Sequence, residues 1–219
     1  MSNSQYYGEI FHEIKNSVTL INSYLQLIEK KHPEITSLDY WETSKNETSR
    51  LRGIVAELSQ IKFGKDLKRE TIDIREFLSD CCNAIRFTSG DENISCTLSM
   101  PEQPLLVPAD TKQLRHAIIN ILKNSCEAMH HSGEILVDAS PKARRITIHI
   151  TDFGCGISPN ILPYIFDPFI TTKEDGSGLG LNITKQIIAA HKGTIAVNST
   201  EGKGTTFTLT LPMARTLSY

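Results

Sequence analysis

Apolar residues near the start of the chain recur as a helical seam. Phe11, Ile14, Val18, Ile21, Leu25 and Ile28 are spaced three, four, three, four and three residues apart, the alternation that lines one side of a coiled-coil helix. Pro33 closes that helix, because the residue before a proline resists helical geometry. A second periodic segment puts Trp41, Leu51, Ile54, Val55, Leu58 and Ile61 on one side, behind a polar first half, ETSKNETS. Gly64 and the run KDLKRE end it. Two amphipathic helices joined by a short loop cannot bury both stripes alone. The pattern therefore predicts a hairpin over residues 1–66 that pairs with a second copy as a dimeric four-helix bundle.

From about Thr71 the periodicity changes. A helix is expected over Ile74–Phe87, then short strands at Ile94–Ser99 and Leu105–Val107. Asp110 has the chemistry of an N-cap for a helix running to about Met129. Two strands, Gly133–Ala139 and Arg144–Thr151, flank a turn-like SPKA, and Ile146, Ile148 and Ile150 alternate with Thr147 and His149 as in a half-buried strand. A glycine-rich stretch, a helix over Leu179–His191 and strands near Thr194–Asn198 and Thr205–Leu211 complete an α/β sandwich over residues 67–219.

Composition narrows the class. The 219 residues are 39% hydrophobic and 22% charged, enough for a core without a bias to disorder. A net charge of −2 supplies no basic field, which argues against a nucleic-acid partner. Five cysteines without C-x-x-C spacing fit a reducing compartment better than a disulfide framework or zinc site. The first residues lack a signal peptide's apolar stretch, and no apolar run approaches the ~20 residues of a membrane span. The expectation is a cytoplasmic chain, membrane-linked only through a sensor segment outside this sequence.

The candidate chemistry is spread over several short motifs. His12 opens H-E-I-K-N just off the seam, with Asn16 one turn on and Glu13 adjacent to orient the ring or take its proton. A neutral imidazole is a nitrogen nucleophile near pH 7, although by itself this segment is better explained by a surface histidine on a coiled coil. NILKNSCEAM puts Asn120 and Asn124 at i and i+4, suited to Mg²⁺ and phosphate oxygens, or to plain capping and solvation. D-F-G-C-G-I, from Asp152 to Ile157, leaves a strand with a carboxylate beside glycines; an ordinary turn is the alternative. GSGLGL, Gly176 to Leu181, opens a helix and can cradle phosphate, though it has neither the Rossmann spacing nor a Walker lysine. GKGTTF, Gly202 to Phe207, is a third glycine turn running into a strand.

Taken in order, these segments resemble the boxes of sensor histidine kinases of the Bergerat (GHKL) ATP-binding superfamily. His12–Asn16 resembles the phosphoacceptor box, Asn120 with Asn124 the N box, and Asp152–Gly156 the first glycine box. Phe166-Asp167-Pro168-Phe169 with Thr171-Thr172-Lys173 resembles the F box, and the last two glycine segments the second and third glycine boxes. PFITTK, the short lid and CEAM look closest to the sporulation-kinase and nitrogen-regulator branches. The phosphoacceptor box departs from the family in one place: Ser17 follows Asn16 where proline is usual, so the first helix should be straighter.

The resemblance implies a Bergerat-fold ATP domain behind a dimerising hairpin, with ATP and Mg²⁺ as cofactors. It implies that Asp152 binds the adenine amino group, supported by Thr205, with Gly154 and Gly156 shaping the turn. Asn124 would coordinate Mg²⁺ and Asn120 would lie by the phosphates. Gly176, Gly178, Leu179 and Gly180 would wrap the phosphates, and Lys173 would neutralise them. His12 would attack the γ-phosphate, assisted by Glu13, and hand the phosphoryl group to an aspartate on a response-regulator receiver domain. Asn16 would orient water for dephosphorylating that regulator. Three other readings are a phosphotransfer relay with a degenerate ATP domain, a gyrase-like or chaperone-like ATPase, and a binding adaptor. The intact motifs oppose the first. The H-E-I-K-N helix and Asn120, where those ATPases place a glutamate, oppose the second.

Overall fold

The computed structural model describes residues 3–59, 67–88, 93–173 and 176–214, with side chains described in 13–56, 67–85, 93–173 and 176–214. These residues fall into two compact units, one built on the first two helices together with Phe169–Leu179, the other holding the rest of the described chain. The expected boundary at 66/67, and the expected roles of Gly64 and Ile61, fall at or within the segment outside the described residues.

In the first unit, α1 (Asn3–Lys31) runs unbroken through Ser17, whose hydroxyl donates to the Glu13 carbonyl at 3.0 Å. A short 3-10 turn, Pro33–Ser37, leads to α2 (Trp41–Ser59). Val18, Val55 and Thr48 are buried where the helices pack, and Lys45 bridges to Glu29 at 2.9 Å. Only part of the predicted seam is covered: Val18 is buried and Leu25 half-buried, while Ile14, Ile21 and Ile28 are exposed, as are Leu20, Tyr24 and Leu27. The side chains of Phe11 and Leu58 lie outside the described ones.

The second unit is a five-stranded sheet in the order β2-β4-β5-β7-β6, with β2 (Ile94–Ser99) parallel to β4 (Gly133–Lys142) and the other pairs antiparallel. β5 (Arg145–Asp152), β6 (Thr194–Thr200) and β7 (Gly204–Pro212) complete it. A two-stranded antiparallel pair, β1 (Glu70–Asp73) with β3 (Leu106–Ala109), lies beside it in the same unit. The register aligns Ala139 with Ile148 and Ile148 with Leu209, so that one face of the sheet is continuously apolar. Ile146, Ile148, Ile150, Leu209 and Leu211 are fully buried on it. α3 (Ile74–Thr88), α4 (Thr111–Ala128) and α5 (Gly180–Ala190) accompany the sheet, and α4 buries Leu114, Ala117, Ile118, Ile121 and Leu122 at helical spacing. Each of these leucines and isoleucines contributes roughly 1.5–3 kcal/mol relative to exposure. The N-cap reading of Asp110 holds, since its side chain accepts from the Gln113 N–H.

One expectation needs correcting, and one strand is new. The strands do not stop at SPKA: β4 runs to Lys142, which pairs with Arg145, so the chain reverses over Ala143 and Arg144 alone. Ala143 takes φ 55° there, as a two-residue hairpin demands. β1 had no sequence expectation, because four residues of mixed polarity form a strand only when a partner lies alongside. Among the described residues no helix is long and apolar enough to cross a membrane, and none of the five cysteines is in a disulfide.

Candidate functional site

Asp152 is the last residue of β5 and is only 2% exposed. Its Oδ1 accepts from the Gly154 N–H at 3.1 Å and the Thr205 N–H at 3.2 Å, and Oδ2 accepts from the Ser125 hydroxyl at 3.1 Å. Burial pushes this carboxyl above the usual carboxylate range, and the hydrogen bonds from Gly154, Ser125 and Thr205 pull against that rise. The result is a buried acceptor with its plane set by donors from three different segments.

Those segments are drawn together by backbone. The Cys155 N–H donates to the Ala128 carbonyl at the end of α4, and the Gly202 N–H donates to the Cys155 carbonyl at 2.7 Å. Gly156 takes φ 68°, and a Cβ there would lie 2.2 Å from the Thr200 carbonyl oxygen, so only glycine lets the first and third glycine turns meet. Ser199 ties the same region from β6: its Oγ accepts from the Ile157 N–H, donates to the Gly204 carbonyl and lies 2.9 Å from Thr205 Oγ1. Cys155 is exposed, and a cavity of about 320 Å³ lies beside it, lined among others by Met129, His130, Glu134 and Phe153.

Asn120 and Asn124 are both half-buried on α4. Asn120 Nδ2 donates to Thr184 Oγ1 at 3.0 Å, which ties α4 to the first turns of α5. A Cβ at Gly180, the first residue of α5, would lie 2.4 Å from Asn120 Oδ1. A side chain at that position would push the Asn120 amide aside, a reason for glycine independent of any phosphate. Among the described residues no three His, Cys, Asp or Glu side chains cluster as a metal site. A divalent ion in this unit would thus rest on an amide oxygen and on ligands brought by a nucleotide, a donor set that suits Mg²⁺.

The Phe169–Leu179 segment in the first unit folds back on itself. The Phe169 N–H donates to the Gly178 carbonyl at 3.0 Å, and the Lys173 N–H donates to Thr171 Oγ1 at 3.1 Å. Gly176 and Gly178 lie here with Lys173 and the buried Leu179. On α1, Glu13 and Asn16 are exposed, and the side chain of His12 lies outside the described ones.

Residues 109–215 match the family described as histidine kinase-, DNA gyrase B-, and HSP90-like ATPase. Sporulation kinase D of Bacillus subtilis is 31% identical over 93% of this chain and 40% of its own length. The sensor histidine kinase ZraS of Salmonella typhimurium is 31% identical over 93% of this chain and 44% of its own. The catalytic domain of histidine kinase ThkA superposes with a TM-score of 0.61 at 26% identity, over 67% of this chain and 96% of that one. Residues 109–215 belong to that ATPase family, and along most of its length the chain is similar to sensor histidine kinases. A full-length ShkA structure in complex with AMPPNP shares the fold over 98% of this chain and 47% of that one, with a TM-score of 0.73 at 22% identity. The chain spans less than half the length of the curated relatives named here.

Within this chain, the second unit brings together Asp152, Gly154, Gly156 and Thr205, and sets Asn120 against Gly180. His12, Glu13 and Asn16 stay on α1, and Lys173, Gly176, Gly178 and Leu179 on the folded-back segment. Sequence reasoning missed Ser125 and Ser199. Ser125 sat unremarked inside the N box, and Ser199 carried no motif of its own. A buried position on α4's apolar side was the one available signal for Ser125.

Proposed function

We propose that this chain is the transmitter core of a two-component sensor kinase, which uses MgATP to phosphorylate its own His12. An imidazole nitrogen of His12 attacks the γ-phosphorus, the bond to the β–γ bridging oxygen breaks, and ADP leaves with that electron pair. Glu13, one residue on, is placed to take the ring proton. Asp152 accepts from the adenine amino group, with Thr205 beside it. Asn124 holds Mg²⁺, with Asn120 close to the phosphates; the ion's role is to neutralise charge on the phosphate oxygens. Gly176, Gly178, Leu179 and Gly180 wrap the phosphates and Lys173 offsets their charge. The phosphoryl group then passes to an aspartate on a response-regulator receiver domain, and Asn16 orients the water that later dephosphorylates that regulator.

Residues 1–66 form the dimerising and phosphotransfer hairpin and residues 67–219 the Bergerat-fold ATP domain, acting in the cytoplasm. The exposed stripe of Ile14, Leu20, Ile21, Tyr24, Leu27 and Ile28 supports a homodimer through a four-helix bundle. One observation carries the nucleotide reading: a carboxylate buried to 2% exposure, pinned by three donors at the end of a strand, between a helix and two glycine turns. The test is incubation with γ-labelled MgATP. Acid-labile label is expected on the wild type and absent from His12→Gln. Label retained by His12→Gln, or wild-type protein that binds nucleotide and never takes label, rejects autophosphorylation at His12.

A further inference from the structure

Ser125 follows Asn124 on α4 and has no exposed surface. A serine or threonine inside a helix commonly turns its hydroxyl back to the carbonyl four residues earlier. Ser17, Thr19, Ser23 and Thr48 of this chain do so. Ser125 instead reaches off its helix and donates to Asp152 Oδ2 at 3.1 Å. Oδ1 is already occupied by the Gly154 and Thr205 N–H groups. A carboxylate oxygen has two lone pairs, so Oδ2 is left with one acceptor direction, and rotation of the carboxylate plane is blocked from both ends.

We propose that Ser125 is a positioning residue for nucleobase choice, locking Asp152 Oδ2 as an acceptor for a 6-amino purine and against a 6-oxo purine. This rests on the reading of Asp152 as the base-binding carboxylate. A 6-amino group donates to the locked oxygen, whereas a 6-oxo group presents a second acceptor to it and gains nothing. Removing the hydroxyl leaves the carboxylate held at Oδ1 alone and lets Oδ2 shift, which weakens the bond to the amino group and leaves the 6-oxo base nearly as it was. Discrimination built on a buried polar group is lost when that group's partner is misplaced.

The experiment is titration calorimetry of the full chain with Mg²⁺ and either a non-hydrolysable ATP analogue or its inosine counterpart, a readout independent of phosphoryl transfer. Ser125→Ala is expected to weaken the adenine nucleotide roughly tenfold and the inosine nucleotide less than about twofold, with a thermal midpoint near that of the wild type. Ser125→Thr, which keeps the hydroxyl, is expected to retain the wild-type preference. Equal weakening of both nucleotides by Ser125→Ala, or an unchanged preference, overturns the role of Ser125. An Asp152→Ala variant with the wild-type preference removes instead the reading of Asp152 on which that role depends.

Discussion

Asp152 and His191 are buried ionisable groups of the same unit, and each has its partners arranged for one protonation state. Burial holds the Asp152 carboxyl above its ordinary value near 3.8. The fold therefore disfavours its charged form, and the stability it adds below that value is lost as pH rises through the folded one. Asp152→Asn is expected to raise the thermal midpoint of the nucleotide-free protein at pH 7, while abolishing binding of adenine nucleotides. A midpoint at or below the wild type would mean that its three donors already offset the burial. His191 is 1% exposed on the loop after α5, with Nδ1 facing the Ile187 carbonyl and Nε2 accepting from the Asp110 N–H. Since a carbonyl can only accept, the neutral ring is a donor at Nδ1 and an acceptor at Nε2. Burial pushes its pKa below the ordinary 6.5; the Arg69 charge adds to that and the Asp110 carboxylate opposes it. Stability tied to the neutral ring is complete above about pH 6.5 and is lost as pH falls through the depressed value. Urea midpoints measured between pH 7.5 and 5 should fall for the wild type and fall less for His191→Gln; parallel curves would assign the acid sensitivity to other groups.

At the scale of elements, α2 contains an unexplained glycine. Gly53 is exposed in mid-helix, and a Cβ there would meet nothing within 4 Å. Gly53→Ala is expected to raise the urea midpoint by the equivalent of roughly 0.5–1 kcal/mol, through the lost backbone entropy of glycine. A lowered midpoint would show that a second chain approaches this position closely. The helices were largely legible in sequence because an apolar stripe at a spacing of three and four is a local property. α1 stops at Lys31, just ahead of Pro33, and α4 starts after the Asp110 cap, as their flanking residues dictate. Strand limits were less legible. β1 gains its identity from pairing Ile72 with Val107, and the β4–β5 hairpin from aligning Ala139 with Ile148. Neither partner can be read from a window of neighbouring residues.

Across the whole molecule, the exposed face of α1 has the largest consequence. Ile21 and Tyr24 are more than half exposed, and with Leu20 and Leu27 they continue one apolar stripe. Such a stripe is the mark of an interface rather than of scattered surface residues. Light scattering at micromolar concentration is expected to give twice the chain mass for the wild type. Ile21→Glu should give the single mass while retaining nucleotide binding, because that substitution adds charge only to an exposed position. A single mass for the wild type would leave the stripe to some other partner.

The sequence by itself determined the two apolar helices, the order of the glycine turns, and the placing of Asp152 at a strand end and of Asn120 and Asn124 on one helix. These follow from periodicity and from short motifs, where the interacting residues lie within a turn or two of each other. Tertiary structure alone decided what holds the candidate site: Ser125 on Asp152 across 27 residues, Thr205 on Asp152 across 53, and Asn120 on Thr184 across 64. Those contacts depend on strand register and on which turn of α4 faces which strand. A hydroxyl one residue from a recognised asparagine has no sequence pattern to mark it until the sheet brings a carboxylate within reach.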